Sequence, residues 1–106
     1  MQFTPPASAT RIERYNETGI DALMLLAFEA PAPDAVAFAD NLIPGGVRAG
    51  QDPGNAYLGA GKPWWFSTFP EGASGGSAEA SGVTTQVVLG PEADGKRKVW
   101  ASRFTR

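Results

Sequence analysis

The chain has 106 residues, 42% of them hydrophobic and 19% charged, with a formal charge of −2 and neither histidine nor cysteine. That length fits one domain, and the missing residue types exclude disulfides, thiolate and imidazole metal sites, and Ser-His or Cys-His nucleophile pairs. Eleven acidic against nine basic residues oppose the phosphate contacts that supply most non-specific nucleic-acid affinity, so no nucleic-acid partner is expected.

Residues 1–10 run through Thr4-Pro5-Pro6-Ala7-Ser8-Ala9-Thr10 and read as a flexible N-terminal tether. Such a tether suits a periplasmic or lipid-anchored protein whose signal has been removed, and a cytoplasmic location otherwise. Residues 11–106 read as a single domain. Its longest apolar run, 22–28, is far below the roughly 18 residues of a membrane span.

Residues 11–16 are polar apart from Ile12 and Tyr15 and predict an edge strand. Glu17-Thr18-Gly19 predicts a turn. Residues 20–29 form the strongest strand pattern: Ile20, Ala22, Met24, Leu26 and Phe28 share one face, and Leu23 and Leu25 the other. Apolar groups on both faces predict a central strand covered from each side. Pro31 and Pro33 end it, and Pro33-Asp34 suits the first turn of a helix. Ala35, Phe38, Ala39 and Leu42 then make a stripe at i, i+3, i+4 and i+7, closed by Pro44-Gly45-Gly46. A helix of about ten residues is marginal by itself, so it must lie on the sheet.

Residues 47–62 read as irregular. The aromatic run Pro63-Trp64-Trp65-Phe66, continuing to Phe69, would place Trp64 and Phe66 on one side and Trp65 on the other if extended. Residues 71–82, rich in Gly, Ser and Ala, predict a flexible loop. Residues 83–89 alternate through Val83, Thr85, Val87 and Leu89, residues 90–95 end in the turn pair Asp94-Gly95, and residues 96–105 return as a strand. The fold class expected is α+β: an antiparallel sheet of four to five strands with one helix on one face, ordered β-β-α-β-β-β. Leu23, Leu25, Leu26, Phe28, Phe38, Leu42, Val87, Leu89, Trp100 and at least one of Trp64 and Trp65 are expected in its core. This arrangement resembles small bacterial domains in general and no one family in particular.

Chemical motifs are sparse. Gly59-Ala60-Gly61-Lys62 lacks the earlier glycine and the following Ser or Thr of a phosphate loop. Asp52-Pro53-Gly54-Asn55 has turn chemistry without the alternating oxygen ligands of a calcium loop. No cofactor and no metal are therefore expected. Asp21 and Glu29 would lie roughly 26 Å apart along a strand, too far to act as a pair. A hydrolase would have to rest on Asp52 and Glu71 meeting near Tyr57. The reading preferred is a non-catalytic binding or interaction module with Arg48, Tyr57, Trp64, Trp65 and Phe69 as its binding residues, since Trp and Tyr concentrate at binding hot spots. Its partner would be a protein, a small molecule or a carbohydrate. The alternative is a self-associating structural protein, a homo-oligomer pairing through residues 11–16 or the last strand.

Overall fold

The computed structural model describes residues 3–19 and 22–105, and these build one six-stranded antiparallel sheet with a single α-helix. In chain order the elements are β1 (Thr10–Glu17), β2 (Leu23–Pro31), α1 (Ala32–Leu42), β3 (Arg48–Ala49), β4 (Ser74–Ala80), β5 (Val83–Leu89) and β6 (Lys96–Thr105). Their order across the sheet is β1-β2-β6-β5-β4-β3.

The sheet is covered on both faces, as the pattern of β2 requires. Leu26 and Phe28 point toward α1, where they meet Ala35, Phe38, Ala39 and Ile43 together with Val87, Leu89, Val99 and Ala101. Leu25 points the other way and packs with Val88, Trp65, Phe66 and Ala73. Each Val, Leu, Ile or Phe among them contributes about 1.5–3 kcal/mol when fully buried. Ile20 and Asp21, expected at the start of this strand, lie outside the described residues.

The helix begins directly after Pro31, the last residue of β2, with Pro33 and Asp34 in its first turn. Its first amide, on Ala32, donates to the Gly95 carbonyl at 2.8 Å, which ties the helix start to the β5–β6 hairpin. That hairpin turns on Asp94-Gly95, both at positive φ (54° and 77°), and Ala93 and Lys96 exchange both backbone hydrogen bonds around it. Two left-handed residues match the twist of antiparallel strands.

Several expectations need correction. Part of the stretch expected as a flexible tether touches the helix: Phe3 is buried beside Phe38, at 6.3 Å between ring centroids, and Ser8 Oγ donates to Asp34 at 2.5 Å. The glycine-rich stretch is not a flexible loop but strand β4, paired to β5 along its whole length. Its glycines answer to space: a Cβ on Gly75 would lie 2.2 Å from the Gln51 carbonyl oxygen, and one on Gly76 would lie 3.0 Å from Ile43 Cγ2. Glycine in a strand here marks close approach of other chain on both faces. The aromatic run, conversely, is not a strand, so the strand expected there is replaced by β4 and the short β3, and the sheet has six strands. Finally, β6 lies between β2 and β5 and offers no free edge; β1 and β3 are the outer strands.

Candidate functional site

The segment between β3 and β4 crosses the sheet face opposite α1 and is pinned there by polar contacts. Asn55 is fully buried, and its Nδ2 donates to Ser102 Oγ on β6 at 3.1 Å. The Asn55 carbonyl accepts the indole N–H of Trp65 at 3.2 Å, and Gln86 Nε2 on β5 donates to the Pro53 carbonyl at 2.8 Å. Trp100 on β6 donates its indole N–H to the Trp64 carbonyl at 3.2 Å. Asn55 Oδ1 has no hydrogen-bond partner among the described residues. Lys62 completes the fastening by placing its Nζ 3.7 Å from the Tyr15 ring centroid on β1, a cation–π contact.

These anchors divide the aromatic run. A single 3-10 turn, Ala56–Gly59, carries Gly59 directly beneath the Trp65 indole, where a Cβ would lie 2.0 Å from Trp65 Cγ. Trp65 is 6% exposed and stacks on Phe66, with centroids 5.5 Å apart at 23°. Phe66 in turn meets Trp100 edge-on at 5.3 Å. Trp64 is left half-buried at the margin, edge-to-face with Trp65 at 6.0 Å and 83°.

Beside Trp64 the sheet opens into a cleft of about 270 Å³. Its floor is Ala27, which sits between Glu13 on β1 and Trp100 on β6. A methyl group between two long side chains leaves a depression at that spot. Trp64, Phe66 and Trp100 wall it on the side of the crossing segment. Arg11, Glu13, Glu29 and Lys98 form the rim, two anions and two cations. Glu29 lies directly opposite Lys98 in the β2–β6 ladder, where Cβ atoms are about 4.5–5.5 Å apart.

Arg11 reaches the rim through an irregularity. The β1–β2 register shifts between Thr10 and Glu13, and Arg11 has φ of 53°. A bulge of this kind turns a side chain away from the regular alternation of the strand. The left-handed region costs a residue with a Cβ roughly 1–2 kcal/mol, and such outliers collect at binding and catalytic sites.

Two residues along β1 from Glu13, Tyr15 donates its hydroxyl to Glu17 at 2.6 Å. That bond, then burial and the negative charge of Glu17, raise the phenol above its ordinary value of 10.0. Among the described residues no group of three or more acidic side chains gathers closely enough to hold a metal ion.

The five binding residues expected from sequence do not share one surface. Trp64 lines the cleft by its exposed flank. Trp65 touches the cleft but is buried, because its ring must fill the space over Gly59. Tyr57, 69% exposed, lines a separate cavity of about 440 Å³ beneath the 3-10 turn. Phe69 is half-buried against the Leu25–Val88 cluster, and Arg48 is exposed on β3 at the far edge from β1. Asp52 accepts the Gly54 amide at 2.8 Å in a local turn, and neither it nor Glu71 lines the cavity at Tyr57. The residues that sequence reading missed are Arg11, Glu13, Ala27, Glu29, Lys98 and Trp100. A partial signal was present: strict alternation through Leu23 and Leu25 puts Ala27 and Glu29 on the face away from α1.

No family model, curated protein or solved structure matches the chain. Function must then be argued from the residues of the site itself.

Proposed function

We propose that this protein is a non-catalytic binding module and that its ligand occupies the cleft beside Trp64. The observation that carries the reading is the convergence at one spot of three aromatic walls, a small-residue floor and Arg11 at an unfavourable φ. Concave sites with apolar walls and a few polar groups are where small ligands bind. A residue held in the left-handed region supports the same spot.

The test is a two-dimensional amide NMR screen of the protein against a small-fragment library. Ligands should move the Ala27 amide and the indole N–H signals of Trp64 and Trp100, leaving the Gly61 and Ser81 amides in place. Ala27→Leu, which fills the floor, should abolish those shifts, with Ala27→Val as the milder replacement. Fragments that cluster at Tyr57 or on α1 would refute the assignment.

A hydrolytic reading has one observation in its favour. Glu13 and Glu29 are diagonal neighbours across β1 and β2 and both line the cleft, and glycoside hydrolysis uses a pair of carboxyl groups. Both stand on the rim in contact with water, whereas catalysis of this kind profits from a closed, water-excluded site. Binding therefore leads. Self-association through the outer edge of β1 is the weaker reading, because the bulge and the charges of Arg11, Glu13, Arg14 and Glu17 are the devices that keep an edge strand from pairing. A single monomeric mass by light scattering at high concentration is expected.

A further inference from the structure

The ligand class can be narrowed from the rim, an inference that rests on the cleft being the binding site. We infer that the cleft takes a neutral saccharide, one pyranose ring deep. At about 270 Å³ the cleft is below the roughly 300–1,000 Å³ of sites that enclose drug-sized ligands and is of a size to seat a single ring.

The charge pattern then selects the ring's chemistry. Glu13 and Glu29 are acceptors only, while Arg11 and Lys98 are donors only. A sugar hydroxyl is both donor and acceptor, so neighbouring hydroxyls on one ring edge can satisfy one group of each kind. The directly opposed Glu29 and Lys98 present such an acceptor and donor side by side. With two charges of each sign the rim has no net attraction for an anion or a cation. A planar aromatic ligand would stack on the walls but offer few hydrogen-bonding groups to the four charged side chains of the rim.

The walls supply the complementary surface. The apolar C–H face of a pyranose is flat and suits an indole, and Trp64 offers one at the cleft margin. Trp100 is held in place by its bond to the Trp64 carbonyl and by Gly90, where a Cβ would come within 3.3 Å of its ring. Arg11 is the adjustable element: its φ of 53° is spent on aiming a planar donor fork that can bridge two hydroxyls.

The experiment titrates the folded protein with methyl hexopyranosides, N-acetylhexosamine oligomers and β-linked glucose oligomers, read by amide NMR and tryptophan fluorescence. At least one should bind with a dissociation constant on the order of 1 mM, as expected for a single small ring. Trp64→Ala should weaken it at least tenfold. Arg11→Gly should weaken it several-fold without lowering the melting temperature, which separates a ligand role from a structural one. Glu29→Gln, which keeps an acceptor, should weaken it less than Glu29→Ala, and Tyr57→Ala should leave it unchanged. If planar aromatic, anionic or cationic fragments move the Ala27 and Trp64 signals while every saccharide fails, the saccharide assignment is wrong and the cleft stands. If no probe of any class moves those signals, both fall together.

Discussion

Replacing Gly59 with alanine isolates the contact on which the covered second face depends. Gly59 does not have a positive φ, so alanine meets no backbone strain there and the whole effect is steric. The new Cβ would fall 2.0 Å from Trp65 Cγ, 2.2 Å from Cδ1 and 2.4 Å from Cβ, so the indole must leave its seat. Overpacking of a core typically costs about 1–3 kcal/mol, and removal of a buried Trp about 3–5 kcal/mol. Displacing the ring falls between these, so Gly59→Ala should cost about 3 kcal/mol. Set against the roughly 5–15 kcal/mol expected for a domain, that is a large fraction. At about 4–8 °C per kcal/mol for a domain near this size, the melting temperature should fall by roughly 12–24 °C. Urea unfolding followed by circular dichroism measures the cost directly. A double-mutant cycle then assigns it: in a Trp65→Ala background Gly59→Ala should cost little, because the clashing ring is gone. A cost below about 0.5 kcal/mol, the ordinary surface range, or one that persists undiminished without Trp65, would refute the packing proposed.

Two further outcomes follow from β1. Arg11→Gly should leave stability unchanged or raise it by up to about 1 kcal/mol, since it relieves a left-handed residue, whereas Asn16→Gly on the same strand should cost about 0.5–1 kcal/mol; thermal unfolding of the two variants side by side checks this. The phenol of Tyr15 is raised above 10.0, first by its hydrogen bond to Glu17 and then by burial and charge, so folding favours its protonated form. Its contribution is complete below pH 10 and is lost as the pH rises through the folded value. Ultraviolet titration should show the Tyr15 phenolate forming above pH 10, and Glu17→Ala, which removes both the acceptor and the charge, should bring it back toward the ordinary value.

Much of the fold is written in local pattern. The two-faced run of β2 announces a strand with cover on both sides, and the Ala35–Leu42 stripe announces a helix lying on one of them. Asp94-Gly95 announces its hairpin through residues suited to positive φ. What escaped is whatever depends on distant parts of the chain. Gly75 and Gly76 look like a loop because composition cannot distinguish glycine chosen for flexibility from glycine chosen because Gln51 and Ile43 crowd it. Trp64 and Trp65 look equivalent in sequence; only Gly59, six residues earlier, decides that Trp65 turns inward. The cleft is less legible still, because Ala27, Glu29 and Lys98 are unremarkable residues that come to line it only when β2 and β6 pair and the crossing segment stops short of covering them.

The central proposition is a division of labour, with Trp65 sealing the sheet and Trp64 standing at the cleft. Urea unfolding of Trp65→Ala and Trp64→Ala, compared under identical conditions, tests it most directly. The larger loss, about 3–5 kcal/mol, should belong to Trp65→Ala, with the half-buried Trp64→Ala losing roughly half as much, in proportion to the apolar area removed from water. Equal losses, or a greater one at Trp64, would contradict it.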